Sequence, residues 1–170
     1  MALDTVEATA VAVAHLAPHV ETFALDATDS VRILIAYSSH CWTCAFDPAA
    51  HAGRTVFMDG ARPRAFDPVR HDASVHLGGL LRALPQNRLY VTPSDRNYGV
   101  YNATLPDPAG GFYTAFFTLT PRKGRFNGVR HQLTLYVESA YARVQPEGMK
   151  TSFRAAVAAA REGRTVKYRR

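Results

Sequence analysis

Apolar positions recur along this chain in two rhythms. Dense aromatic and β-branched blocks alternate with polar residues over Arg88 to Thr92, Tyr98 to Thr104, Phe112 to Thr120 and Gln132 to Ala142, with turn residues between them. A period of two in such residues predicts four strands, and their short connections favour an antiparallel meander. Val31 to Tyr37 is a compact apolar run with Arg32 as its only charge, which predicts an extra, earlier strand. The other rhythm is helical. Leu77, Leu80, Leu81 and Leu84 fall at i, i+3, i+4 and i+7, with Asp72 as a cap and Pro85 as a stop. Gly78 and Gly79 inside that stripe each weaken a helix by about 1 kcal/mol, which suggests close packing on a sheet. Residues 5–16 read as a short helix ended by Pro18. Phe153 to Glu162 reads as another, started by Thr151 or Ser152 and closed by Gly163. Ser38 to Val69 reads as irregular, interrupted by Pro48, Gly53, Gly60, Pro63 and Pro68. Residues 164–170 form a basic tail that can add an edge strand.

The expected fold class is α+β: a four-stranded antiparallel meander with helices packed on one face, plus an extra N-terminal strand. The 170 residues suit a single domain. Within it, 1–30 is an acidic N-terminal segment, 31–143 the core, and 144–170 a C-terminal helix with a basic tail.

Composition changes the picture mainly through charge. Apolar content of 47% and charged content of 20% are those of a globular chain, so extensive disorder is not expected. No apolar run approaches the roughly 20 residues of a membrane span. The N-terminus carries Asp4 and Glu7 and lacks the basic start of a signal peptide, so a cytoplasmic location is expected. Residues 1–60 hold seven acids against Arg32 and Arg54, a net −5. Residues 61–170 hold eighteen basic residues against seven acids, a net +11. Only Lys123, Lys150 and Lys167 of the twenty cations are lysine. Arginine forks match phosphate two oxygens at a time and stack on bases, so the expected partner is nucleic acid, RNA in preference to DNA. The bland alternative is solvated arginine in an arginine-rich proteome.

The connection Pro121 to Arg130 concentrates this chemistry. Arg122, Lys123, Arg125 and Arg130 surround Phe126, which suits phosphate contact with base stacking, or else a solvated hairpin tip. On the last strand, alternation places Leu133, Leu135 and Val137 on one face with Ser139, Tyr141 and Arg143. That face begins apolar and ends in groups able to bind phosphate and move a proton. Arg88 and Tyr90 share a face in the same way. A metal-independent ribonuclease needs a base, an acid and cations around the phosphate. His40, His71, His76 and Tyr141 are the candidate proton carriers, and Arg70, Arg88 and Arg143 the candidate clamps. Each is equally readable as a surface residue.

The run His40-Cys41-Trp42-Thr43-Cys44 admits three readings. A CxxC after a strand suits a dithiol, although Asp47-Pro48 follows where a long helix would be needed. Zinc held by Cys41 and Cys44 with two of His40, His51, His71 and His19 has only half its ligands at motif spacing. His19-Val20-Glu21 followed by this CxxC also has the look of zinc deaminases, but His40 stands where their proline would be. The favoured reading is that both cysteines are ordinary core residues, with no metal and no cofactor.

Several of these motifs together resemble a known family. They are His40-Cys41-Trp42-Thr43, Arg64-Ala65-Phe66 with Arg70, Leu80 to Leu84, Tyr113 to Phe117 and Leu135 to Tyr141. The run is similar to small bacterial proteins carried on plasmids and prophages and labelled stationary-phase growth adaptation proteins. The resemblance covers about residues 31–143, implies no activity, and does not include Cys44. A helix followed by a four-stranded meander is also similar in outline to the RelE, colicin and barnase-like nucleases, an analogy of fold alone. Two functions follow as expectations. One is a toxin-like, metal-independent ribonuclease using the His/Arg/Tyr set, with an antitoxin or a second copy of the chain as partner. The other is a non-catalytic nucleic-acid-binding or regulatory module that uses Arg122, Lys123, Arg125, Phe126, Arg130 and Ser139. Zinc or thiol chemistry at Cys41 and Cys44 is a distant third.

Overall fold

A strand with apolar residues on both faces must be covered on both, and Phe112–Thr120 is such a strand, with Tyr113 through Phe117 all buried. It accordingly lies at the centre of the sheet. The computed structural model describes residues 13–92 and 100–167. In chain order the strands are β1 (His19–Ala24), β2 (Ser30–Tyr37), β3 (Thr43–Ala45), β4 (Val56–Asp59), β5 (Arg62–Phe66), β6 (Arg88–Val91), β7 (Val100–Pro106), β8 (Phe112–Thr120), β9 (Gly124–Phe126), β10 (Val129–His131), β11 (Leu133–Arg143) and β12 (Met149–Ser152). The helices are α1 (Pro68–Ser74), α2 (Leu77–Arg82) and α3 (Phe153–Arg161).

The expected four-stranded meander with helices on one face is not the architecture. The main sheet has seven strands in the order β1-β2-β11-β8-β7-β6-β12. It is mixed, because β11 runs parallel to β2 while the other neighbours are antiparallel. Two strands precede the meander region and β12 extends it at the far edge. A separate three-stranded sheet, β3-β5-β4, occupies much of the segment expected to be irregular. Local turns and Pro63 obscured those short strands in the sequence. The basic connection folds as its own hairpin of β9 and β10.

The helices differ as well. Asp67 accepts the Arg70 N–H at 3.1 Å and Pro68 takes the first helical position, so the cap of α1 lies five residues before Asp72. It ends at Ser74, and α2 carries Leu77, Leu80 and Leu81 into the core. Gly79 is not held by close packing, since a Cβ there would meet nothing within 4 Å. Ser152 caps α3 by accepting the Ala155 N–H. Of the expected helix over 5–16, residues 5–12 lie outside the described part, and Ala14–Leu16 is a single 3-10 turn. The start of the expected strand at Tyr98 and the end of the tail at 168–170 also lie outside it. Residues 164–167 form no strand, and the edge is β12.

One face of the sheet builds the core with α2 and α3, through Ile33, Ile35, Tyr101, Phe117, Leu135 and Phe153 among others. Removing the Phe117 ring should cost about 3–5 kcal/mol. Phe117→Ala is therefore expected to unfold in urea far earlier than Val144→Ala, whose parent residue is 89% exposed. Gly79→Ala should stabilise by about 0.5–1 kcal/mol, read as a higher urea midpoint at unchanged slope.

Candidate functional site

Two side-chain groups deserve a chemical reading, and β11 carries one near each end. β11 does not alternate throughout. Its register against β8 shifts between Val137 and Ser139. Leu133, Leu135 and Val137 face the core, but past this bulge Ala140 takes the core side. Ser139, Tyr141 and Arg143 therefore point to the opposite face, not the same one. β2 ends at Tyr37 beside the bulge, and the chain turns through Ser39–Cys41, with the Ser38 N–H donating to the Val137 carbonyl at 2.9 Å.

That turn brings together part of the expected His/Arg/Tyr set. His40 Nε2 lies 2.8 Å from Asp59 Oδ2 on β4. Arg70 on α1 donates through Nη1 to the carbonyls of His40 and Thr43, at 3.2 and 3.3 Å. Its guanidinium carbon lies 5.2 Å from the centre of the Tyr141 ring. Tyr141 stacks on Phe116, and Arg143 lies 5.7 Å from the Phe116 ring centre while pairing with Glu147 at 2.6 Å. Burial raises the Glu138 carboxyl above its ordinary range, with His40 pulling the other way. His71 lies apart, against Phe66 and His15. His76 is exposed at the junction of α1 and α2, and Arg88 is exposed on β6, three strands from β11. The structure thus gathers His40, Arg70, Ser139, Tyr141 and Arg143, and leaves His71, His76 and Arg88 elsewhere. Chemically the group holds an oriented imidazole, a phenol and two guanidiniums, all already engaged with protein groups. The partners Asp59 and Glu147 carried no sequence signal, since each sits in a short turn-rich segment.

The second group is the β9–β10 hairpin. Asn127 and Gly128, with φ of 47° and 79°, form its two-residue turn, as Asn-Gly favours. Arg122, Lys123, Arg125 and Arg130 are all exposed, and Phe126 is partly exposed between them. Among the described residues no carboxylate pairs with any of these four cations. Two acids of the N-terminal segment are spent elsewhere: Asp26 pairs with Arg154, and Asp29 accepts both guanidinium nitrogens of Arg161 on α3. Ser139 lies near the other end of β11, about 20 Å away along a strand rising ~3.3 Å per residue.

The cysteines take different surroundings. Cys41 is fully buried in the core, its Sγ 3.9 Å from the Val137 carbonyl. Cys44 is half-buried on β3, with His51 Nε2 at 3.6 Å. Among the described residues no three His, Cys, Asp or Glu side chains converge as metal ligands would.

Residues 4–161 match the YjaZ family. The chain belongs to that family. No curated protein and no solved structure matches it. The YjaZ match takes in both the bulge and the hairpin. No described helix is long and apolar enough to cross a membrane.

Burial pushes the Cys41 thiol up to about 12 and the Tyr37 phenol also up to about 12. The unfolded thiol ionises near 9, so between 9 and about 12 the unfolded chain holds fewer protons than the folded one. Stability should therefore fall as pH rises above 9, and Cys41→Ala should flatten part of that fall in urea melts. A pH-independent melt across that range would contradict the buried thiol.

Proposed function

We propose that this protein binds nucleic acid, single-stranded RNA in preference to DNA, through the β9–β10 hairpin. The observation that carries this reading is the gathering of Arg122, Lys123, Arg125 and Arg130 on one projecting finger that no carboxylate neutralises among the described residues. Cations that no carboxylate neutralises keep their attraction for phosphates, although Arg125 also donates through Nη1 to the Gly128 carbonyl at 3.2 Å, and binding is driven by release of the counterions around them. Phe126 offers a stacking surface for an unstacked base, which favours single strands and RNA loops over a closed duplex. The charge asymmetry of the chain supports the same reading. Asp26 and Asp29 of its acidic segment pair with Arg154 and Arg161 on α3, not with the finger.

Fluorescence anisotropy with a labelled single-stranded RNA tests this. Each neutralised phosphate contributes about −0.7 to the slope of log K against log salt, so four cations predict a slope near −3. Replacing Arg122, Lys123 and Arg125 by alanine should bring it to about −1 or less. Absent or salt-independent binding by the unaltered protein would refute the reading.

A second reading keeps the metal-independent, toxin-like ribonuclease, with an antitoxin or second copy as partner and a mobile element as setting. It draws support from Arg70, which bonds the His40 carbonyl and covers the Tyr141 ring, so that imidazole, phenol and guanidinium share one corner. It predicts RNA cleavage in EDTA that is lost in both His40→Ala and Tyr141→Phe. Cleavage by both variants at the unaltered rate would remove these residues from the site.

A further inference from the structure

A cavity of about 560 Å³ opens where the hairpin meets the main sheet. Arg32, Lys123, Arg125, Arg130, His131 and Gln132 line it. The wall exists because Gln132 stitches the hairpin to β2: its N–H donates to the Arg32 carbonyl at 2.9 Å, and its Oε1 accepts the Arg32 N–H at 2.6 Å. With Oε1 so used, the remaining amide hydrogens of Gln132 can only donate. Arginine and lysine side chains have no acceptor. The arginine, lysine and glutamine side chains of this wall therefore present donors and positive charge, and among the described residues no carboxylate lines it.

His131 is the second observation. It is 7% exposed, lines the same cavity, and its buried Nδ1 has no hydrogen-bond partner. Gly124 lets the ring sit there, because a Cβ at that position would stand 3.0 Å from His131 Nε2. The Nε2 edge of the ring is thus the one beside Gly124, which lines the cavity too.

We infer that this cavity seats a terminal phosphate monoester of a bound RNA strand. The inference rests on the RNA-binding reading and sharpens it. An internal phosphodiester carries one negative charge and two free oxygens. A terminal monoester carries about −1.5 to −2 near neutral pH and three acceptor oxygens. Four cations around one cavity match the monoester better, and Arg122, outside the cavity, is left for an internal phosphate. Arg32 supplies a contact that the hairpin alone cannot, because it comes from β2 of the main sheet.

Anisotropy with four RNA oligomers of one sequence tests this: both ends hydroxyl, 5′-phosphate, 3′-phosphate and both ends phosphorylated. At least one singly phosphorylated strand should bind the unaltered protein about tenfold tighter than the hydroxyl strand. The arm that gains identifies the end recognised. Arg130→Gln and, separately, Arg32→Gln should each reduce that preference severalfold, with binding of the hydroxyl strand less affected by Arg32→Gln. Circular dichroism checks that each variant folds. Inorganic phosphate at constant ionic strength should erase the preference and shift the His131 ring resonances in the unaltered protein. Equal affinity for all four strands would overturn the terminal-phosphate site while leaving the RNA-binding reading intact. No binding of any strand would overturn both.

Discussion

The side-chain period of a strand is two, and β11 breaks it once, at the bulge beside Glu138. The geometry of the far end of β11 depends on that break. Below it, β11 is held on both sides, parallel to β2 and antiparallel to β8, and gives Leu133, Leu135 and Val137 to the core. Above it β2 has ended, and the turn at Ser39–Cys41 and α1 take its place beside β11. An unbroken strand would have driven Tyr141 and Arg143 into the apolar side. The bulge returns Ala140 to the core and sends those two polar residues outward. Burying an unpaired arginine would cost several kcal/mol, which makes the irregularity the cheaper solution.

Charge is distributed by the same frame. At the upper end Arg70, Arg143 and His40 each have a carboxylate close by, namely Asp67, Glu147 and Asp59. On α3 the two arginines are matched by Asp26 and Asp29. These pairs are half-exposed and worth little individually, about 0–1 kcal/mol each. Their importance is what they leave over. Asp26 and Asp29, in the β1–β2 turn, are taken by the arginines of α3. A polyanion approaching the hairpin meets cations that no carboxylate neutralises among the described residues.

Much of this was legible in the sequence, for identifiable reasons. Strands β6, β7, β8 and β11 announced themselves through aromatic and β-branched density, and the Asn127-Gly128 turn sits inside the connection read as basic and exposed. The parallel pairing of β2 with β11 was not legible, because it joins segments about a hundred residues apart and depends on buried area rather than on any local pattern. The bulge left no trace, since Ser139 and Ala140 alternate as acceptably in one register as in the other. β1 was hidden by Pro18 and Glu21, and β3, β4 and β5 by their shortness. The leucine stripe was real, but the helix that carries it starts at Leu77 and not at Asp72; the stronger start, Asp67-Pro68, lay a turn and a half upstream and opens a separate helix. Cavity residues Arg32 and Gln132 are invisible without the fold, because they meet only across the β2–β11 pair.

The connection 144–148 makes the two ends of β11 differ. It carries the chain from β11 to β12 at the far edge, across the face that holds Asn102. Asn102 is fully buried and donates through Nδ2 to Thr92 Oγ1 and to the Glu147 carbonyl, both at 2.9 Å. Arg143 holds the near end through the Glu147 carboxylate. A phosphate recruited by Arg143 must first displace that carboxylate and compete with the Phe116 ring. An ion pair of up to about 1 kcal/mol and a cation–π contact of about 0.5–1 kcal/mol together set a penalty near tenfold in affinity. Among the described residues the hairpin cations have no carboxylate to leave, and Arg125 has only the Gly128 carbonyl to release. The same arginine chemistry that draws attention to both ends of β11 is therefore committed to holding the fold at one end and available to a ligand at the other.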